Sequence, residues 1–266
     1  MLLESTAHLP ASLVIFQDIF HAPTGTDIAR IILRWAHFVA GITWIGILYF
    51  FNLVNVNFMK ALDAPTKSKV IPELMPRALW YFRWGALVTV LAGLMYFAMY
   101  ILSPDTKNAN SLGGANANVW LVLLVWMLIP IITWAIYFFI LPKIKDGKVL
   151  AAVVTVLVIL MAVASTYWLN SQLLGTAGGR AEGFASNKTL SIGIGGALGF
   201  IMLLNVWGII WPAQKRIIAG TVSGTPAPPE LARRAFLASR TNAWLSLPML
   251  FFMATSHGDY IILGRN

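Results

Sequence analysis

IARIILRWAHFVAGITWIGILYFF, residues 28–51, is long and apolar enough to cross a bilayer, yet it carries Arg34 and His37 inside it. About 20 predominantly apolar residues cover the hydrocarbon thickness. Ionisable side chains at that depth are costly and mark function. Five more apolar runs follow, near residues 78–102, 119–141, 149–169, 189–211 and 242–262, the last interrupted by Ser256, His257 and Asp259. The pattern predicts an all-α integral membrane protein: a bundle of six transmembrane helices over residues 28–266, after an N-terminal interfacial segment at 1–27. In that segment LPASLVIFQDIF, residues 9–20, reads as a short helix lying in the membrane surface. It does not read as a signal peptide, because Glu4 and Asp18 flank it and no basic stretch precedes it.

Composition agrees. Of 266 residues, 58% are hydrophobic and 11% charged, with a mean hydropathy of +0.74. Soluble domains average about 25% charged residues. The net charge of +9 is therefore a topology signal, with no recognition element for nucleic acid. The absence of cysteine excludes disulfides, cysteine-ligated iron–sulfur clusters, thiolate catalysis and covalently attached c-type haem.

The basic residues fall mostly between alternate runs. Lys60, Lys67, Lys69, Arg77 and Arg83, then Lys143, Lys145 and Lys148, then Lys215, Arg216, Arg233, Arg234 and Arg240 lie on one side, thirteen of the 19. By the positive-inside rule that side is cytoplasmic, so both termini are expected to face outward. Trp80, Trp84, Trp207, Trp211 and Trp244 belt the inner side; Trp120 and Trp168 belt the outer.

Several positions depart from plain lipid-facing sequence. SIGIGGALGF, residues 191–200, sets Ser191, Gly195 and Gly199 on one face, a close-packing pattern that serves a helix neighbour or a homo-oligomer. Its glycine spacing is not that of a dinucleotide site. Pro130 and Pro248 free the carbonyls of Trp126 and Trp244 and kink their helices. Arg34, His37, Gly41 and Trp44 recur at helical spacing: a cation, an imidazole, a gap and a large ring, suited to something flat and negatively charged.

His37 lies roughly 13 Å, and His257 roughly 7 Å, from the outer ends of their runs. Opposite chain directions bring both into the outer half. Two imidazoles there are a natural axial pair for haem b, with Arg34 for a propionate. The plainer reading is that His37 hydrogen-bonds a neighbouring helix and His257 sits in the wet interface. Bare zinc or copper is disfavoured, with Asp259 as the one nearby carboxylate. Arg83 is placed to snorkel, and Arg240 and Asn242 to cap the last helix or bind phosphate headgroups; Arg83, Arg240 and Asn242 are also the substrate-binding candidates.

LRWAHFVAGITWIGILYFFN (33–52), MPRALWYFRWGA (75–86), NVWGIIWPAQK (205–215) and SRTNAWLSLPMLFFMATSH (239–257) together resemble the membrane domain of bacterial urate hydroxylases, the urate oxidase N-terminal family. The resemblance implies oxidation of urate to 5-hydroxyisourate, with electrons passed to cytochrome c instead of directly to dioxygen. His37 matches the histidine of the family's first-helix motif and His257 the one ending its last motif. The family carries a C-terminal cytochrome c domain; this chain stops at Asn266 without cysteine, so the expected acceptor is a separate periplasmic cytochrome c. Thr241 departs from a position where histidine or another polar residue is usual. Three functions fit the whole pattern. The first is a haem-binding membrane redox protein. The second is an accessory subunit of a larger membrane complex, and the third a small-anion transporter.

Overall fold

A computed structural model describes residues 23–257 and 261–264. Six continuous helices carry these residues: α1 (Gly25–Ala61), α2 (Ala64–Gly113), α3 (Val119–Ile140), α4 (Gly147–Gln172), α5 (Asn187–Ser223) and α6 (Pro229–Thr255). Five helix starts are set by an oxygen-bearing side chain. Thr24 and Asp27 form a capping box on α1, and Asp63, Asn118, Asp146 and Ser186 cap α2 to α5 by accepting from backbone N–H groups of the first turn. Pro229 opens α6, where its missing N–H has no intrahelical partner to lose.

Helix α5 is the hub because its glycines let three neighbours approach on different sides. A Cβ on Gly193 would meet Leu169 of α4, one on Gly195 would meet Met249 and Phe252 of α6, and one on Gly196 would meet Trp126 of α3. Its apolar window is 67% buried, against 17% for α4. The Gly195/Gly199 face thus packs against α6 within the chain. Indole N–H groups latch the bundle: Trp126 donates to the Gly193 carbonyl at 3.1 Å and Trp168 to the Val122 carbonyl at 2.9 Å. Single π-helical turns interrupt α1 at Phe50–Asn55, α2 at Ala98–Leu102 and α5 at Val206–Ile210.

Five helices, α1 to α5, are long and apolar enough to cross a membrane. Helix α6 has 27 residues but holds Glu230, Arg233, Arg234 and Arg240 in its first half, so its composition falls short. Its bounds also correct the sequence expectation of 242–262: the helix begins at Pro229 and stops at Thr255, where Ser256 and His257 close its last turn onto the Phe252 and Ala254 carbonyls. Helix α2 is longer than expected at both ends, about 75 Å at 1.5 Å per residue. Pro72 and Pro76 mask its start in the sequence, and SPDTKNAN, just past the expected end at 102, continues it until Gly114 turns left-handed at φ 65°. The expected loop between α4 and α5 contains a hairpin, β1 (Leu174–Ala177) and β2 (Arg180–Gly183), antiparallel. Gly178 and Gly179 turn it with φ of 58° and 77°, the pair of positive values a type I′ turn needs. The expected interfacial helix at residues 9–20 lies outside the described residues.

Candidate functional site

His37 belongs to the seam between α1 and α2. Its ring seats in a notch at Gly93, where a Cβ would come within 2.6 Å of Nδ1 and 2.7 Å of Cε1. One turn away Gly41 faces the Thr89 side chain, and Trp44 packs on Gly85, so large and small residues interlock along the seam. The His37 Nδ1 lies 2.7 Å from the Thr89 carbonyl oxygen. A carbonyl only accepts, so the proton is on Nδ1 and the lone pair is on Nε2.

His257 Nδ1 lies 2.7 Å from the Ser256 hydroxyl, whose oxygen is also 2.7 Å from the Met253 carbonyl. With the Ser256 proton on that carbonyl, His257 Nδ1 donates and the neutral ring keeps its lone pair on Nε2. The loop bearing His257 is held on both sides by Asn187, the first residue of α5. Its amide donates to the Thr255 carbonyl at 2.9 Å and accepts from Ile262 and Leu263 N–H at 3.3 and 3.2 Å. Asp105, in the C-terminal extension of α2, fixes that corner in turn by accepting from the Ser186 N–H and the Thr189 hydroxyl. Asn187 is a positioning residue that sequence reading passed over. Its signal was only an asparagine just after a Ser cap, indistinguishable from ordinary first-turn polarity.

The other candidates separate into two groups. Arg34 is exposed, with its guanidinium 5.9 Å from the Phe38 ring centre, and its charge and that of Lys188 act on the His257 ring. The α1 stripe and the end of α6 therefore share one electropositive corner. Trp44 is 1% exposed, so its face is closed by packing, but its indole N–H is buried without an acceptor. Arg83 lies elsewhere. Its guanidinium sits 3.8 Å over the Trp211 ring, and its carbonyl accepts from Trp207 Nε1 at 3.2 Å, so it pins α2 to α5. Arg240 lies 5.3 Å over Phe236. Asn242 does not cap a helix or meet headgroups, because α6 starts thirteen residues earlier and buries it completely.

Asn242 instead belongs to a polar seam inside the bundle. It donates to the Met202 carbonyl at 2.9 Å and accepts from Asn205 at 2.8 Å, while Asn205 accepts from Trp134 Nε1 at 3.0 Å. On the same α6 face Ser239 meets the Asn52 amide and Ser246 meets the Tyr49 hydroxyl, both at 2.9 Å. Ser239, Asn242 and Ser246 follow at offsets of three and seven, a periodicity legible in the sequence. Asn52 and Asn205 lie in or just before π-helical turns, which the sequence does not announce.

The urate oxidase N-terminal family matches residues 61–263. The matched segment contains Arg83, Asn187, Arg240, Asn242 and His257, whereas Arg34, His37 and Trp44 precede it. No curated protein and no solved structure matches the chain.

Proposed function

This chain belongs to the urate oxidase N-terminal family, and we propose that it works as a urate hydroxylase-like redox protein of the bacterial inner membrane. In this reading α6 completes six crossings, with both termini on the periplasmic side. His37 and His257 would hold a haem b through their Nε2 atoms. The observation that carries the reading is that each ring sets its Nδ1 2.7 Å from an oxygen, the arrangement in which Nδ1 donates and Nε2 is left for a metal.

The donor set favours a porphyrin over a bare ion. Among the described residues no group of three or more His, Cys, Asp or Glu side chains converges, and a porphyrin needs only two protein ligands. Haem bound there supplies one-electron exchange at its iron. The chain's own residues do the rest. Thr89 and Ser256 hold the ring tautomers, and Asn187 holds the His257 loop. Arg34 and Lys188 attract a propionate or a urate monoanion. The Trp44 indole N–H is a free donor at the same seam. Electrons leave to a separate periplasmic cytochrome c.

A reduced-minus-oxidised spectrum of protein expressed with ample haem tests this. A Soret band that His37→Ala and His257→Ala each abolish is expected. Absence of the band, or variants indistinguishable from the parent, overturns it. A second reading, an accessory subunit of a larger membrane complex, is favoured by the Gly93 notch, which accounts for His37 by packing alone. A partner copurifying at fixed stoichiometry, with no cofactor in this chain, decides for that reading.

A further inference from the structure

Arg216 and Arg234 face a cavity of about 170 Å³ between the ends of α3, α5 and α6, at the end of the bundle where the basic residues gather. Phe138, Ile209, Pro212 and Leu231 supply apolar walls. The guanidinium of Arg234 lies 5.1 Å from the Phe138 ring centre, and its Nε is buried with no hydrogen-bond partner. Its neighbour Arg233 differs: it pairs with Glu230 at 3.3 Å and donates to the Ile144 carbonyl at 2.7 Å.

The carboxylates of this end are engaged elsewhere. Asp63 and Asp146 cap α2 and α4, Glu73 pairs with Arg77, and Glu230 pairs with Arg233. Among the described residues none is left to neutralise Arg216 or Arg234. A guanidinium held in a partly buried site with no carboxylate beside it is costly, and an anion from outside the chain offsets its charge. Guanidinium groups match phosphate oxygens in pairs. The volume equals about six waters at 30 Å³ each, enough for a phosphate and its ester, and the apolar walls suit the glycerol and first methylenes beyond it. A soluble phosphate would leave those walls unused.

We propose that this cavity is a binding site for the phosphate headgroup of an anionic phospholipid, seated between Arg216 and Arg234. It ties α3, α5 and α6 together at their basic ends. Basic pockets between transmembrane helices take such headgroups elsewhere by the same chemistry.

Native mass spectrometry of the full chain in detergent, titrated with phosphatidylglycerol, phosphatidylcholine or inorganic phosphate, tests it. Phosphatidylglycerol is expected to remain bound and phosphatidylcholine to leave. Arg216→Gln and Arg234→Gln should each lower the bound fraction about fivefold, while Arg77→Gln, a basic residue of the same end, leaves it unchanged. Arg216 is exposed, so its variant folds even where Arg234→Gln does not. Equal retention of both lipids, or parental retention by Arg216→Gln, overturns the proposal. So does displacement of phosphatidylglycerol by millimolar inorganic phosphate, which would make the ligand a soluble anion.

Discussion

Gly93→Ala puts the α1–α2 seam under a defined load. The added methyl would sit 2.6 Å from His37 Nδ1, and ordinary contact begins near 3.4 Å, so the ring must retreat by about 0.8 Å. That retreat stretches a 2.7 Å hydrogen bond to the Thr89 carbonyl beyond useful range. A weakened hydrogen bond at a half-buried site costs about 1 kcal/mol, and overpacking a tight contact about 1–3 kcal/mol. Alanine returns about 1 kcal/mol through helix propensity. The net expectation is a loss of about 1–3 kcal/mol. The same substitution in a His37→Ala background meets no ring and should be neutral or stabilising by up to about 1 kcal/mol. Thermal unfolding of the four proteins of this double-mutant cycle in one detergent measures the coupling, expected at about 2 kcal/mol. If Gly93→Ala costs as much without the imidazole as with it, the ring does not occupy that notch and the tautomer assignment for His37 falls. Under the redox reading, Gly93→Ala also shifts the Soret band or the midpoint potential, whereas a packing role alone moves only stability.

Other sites give shorter tests. Asn187→Ala frees both flanks of the His257 loop, so hydrogen exchange at Ile262 and Leu263 amides should rise at least tenfold; unchanged protection would show that Asn187 does not hold the loop. Asn205→Ala strands the Trp134 indole and half of the Asn242 amide in an apolar interior, with an expected loss of about 2–4 kcal/mol by denaturant titration. Gly195→Leu drives a side chain into Met249 and Phe252, and should separate α5 from α6 and abolish expression of folded protein, read by size exclusion. The Asp63 carboxyl is held below its ordinary range, first by its bond from Thr66. A lowered folded value means that the cap's contribution is full above the unfolded value and fades as pH falls through the lower folded one. Fraying at the start of α2 should therefore appear only in acid, and Asp63→Asn should make it independent of pH.

The number of helices was legible in the chain because lipid imposes a one-dimensional rule: apolar runs of fixed length, separated by polar segments. The caps at Thr24, Asp63, Asn118, Asp146 and Ser186 are equally local, each a side chain closing onto its own next turn. The stripe of His37, Gly41 and Trp44 was visible too, but not what it faces. Periodicity defines a face without naming the neighbour, and only the packed bundle sets His37 against Gly93, 56 positions away. The same holds for Asn187 beside Thr255, Asn205 beside Asn242, and the Gly195 face spent on α6. These pairings depend on contacts remote in sequence, where small residues admit close approach and buried amides must find partners. The early stop of α6 and the long reach of α2 were hidden for a related reason. Polar residues and prolines end helices in an isolated segment, but packing against a neighbour, or water at a helix end, allows the backbone to continue or obliges it to turn.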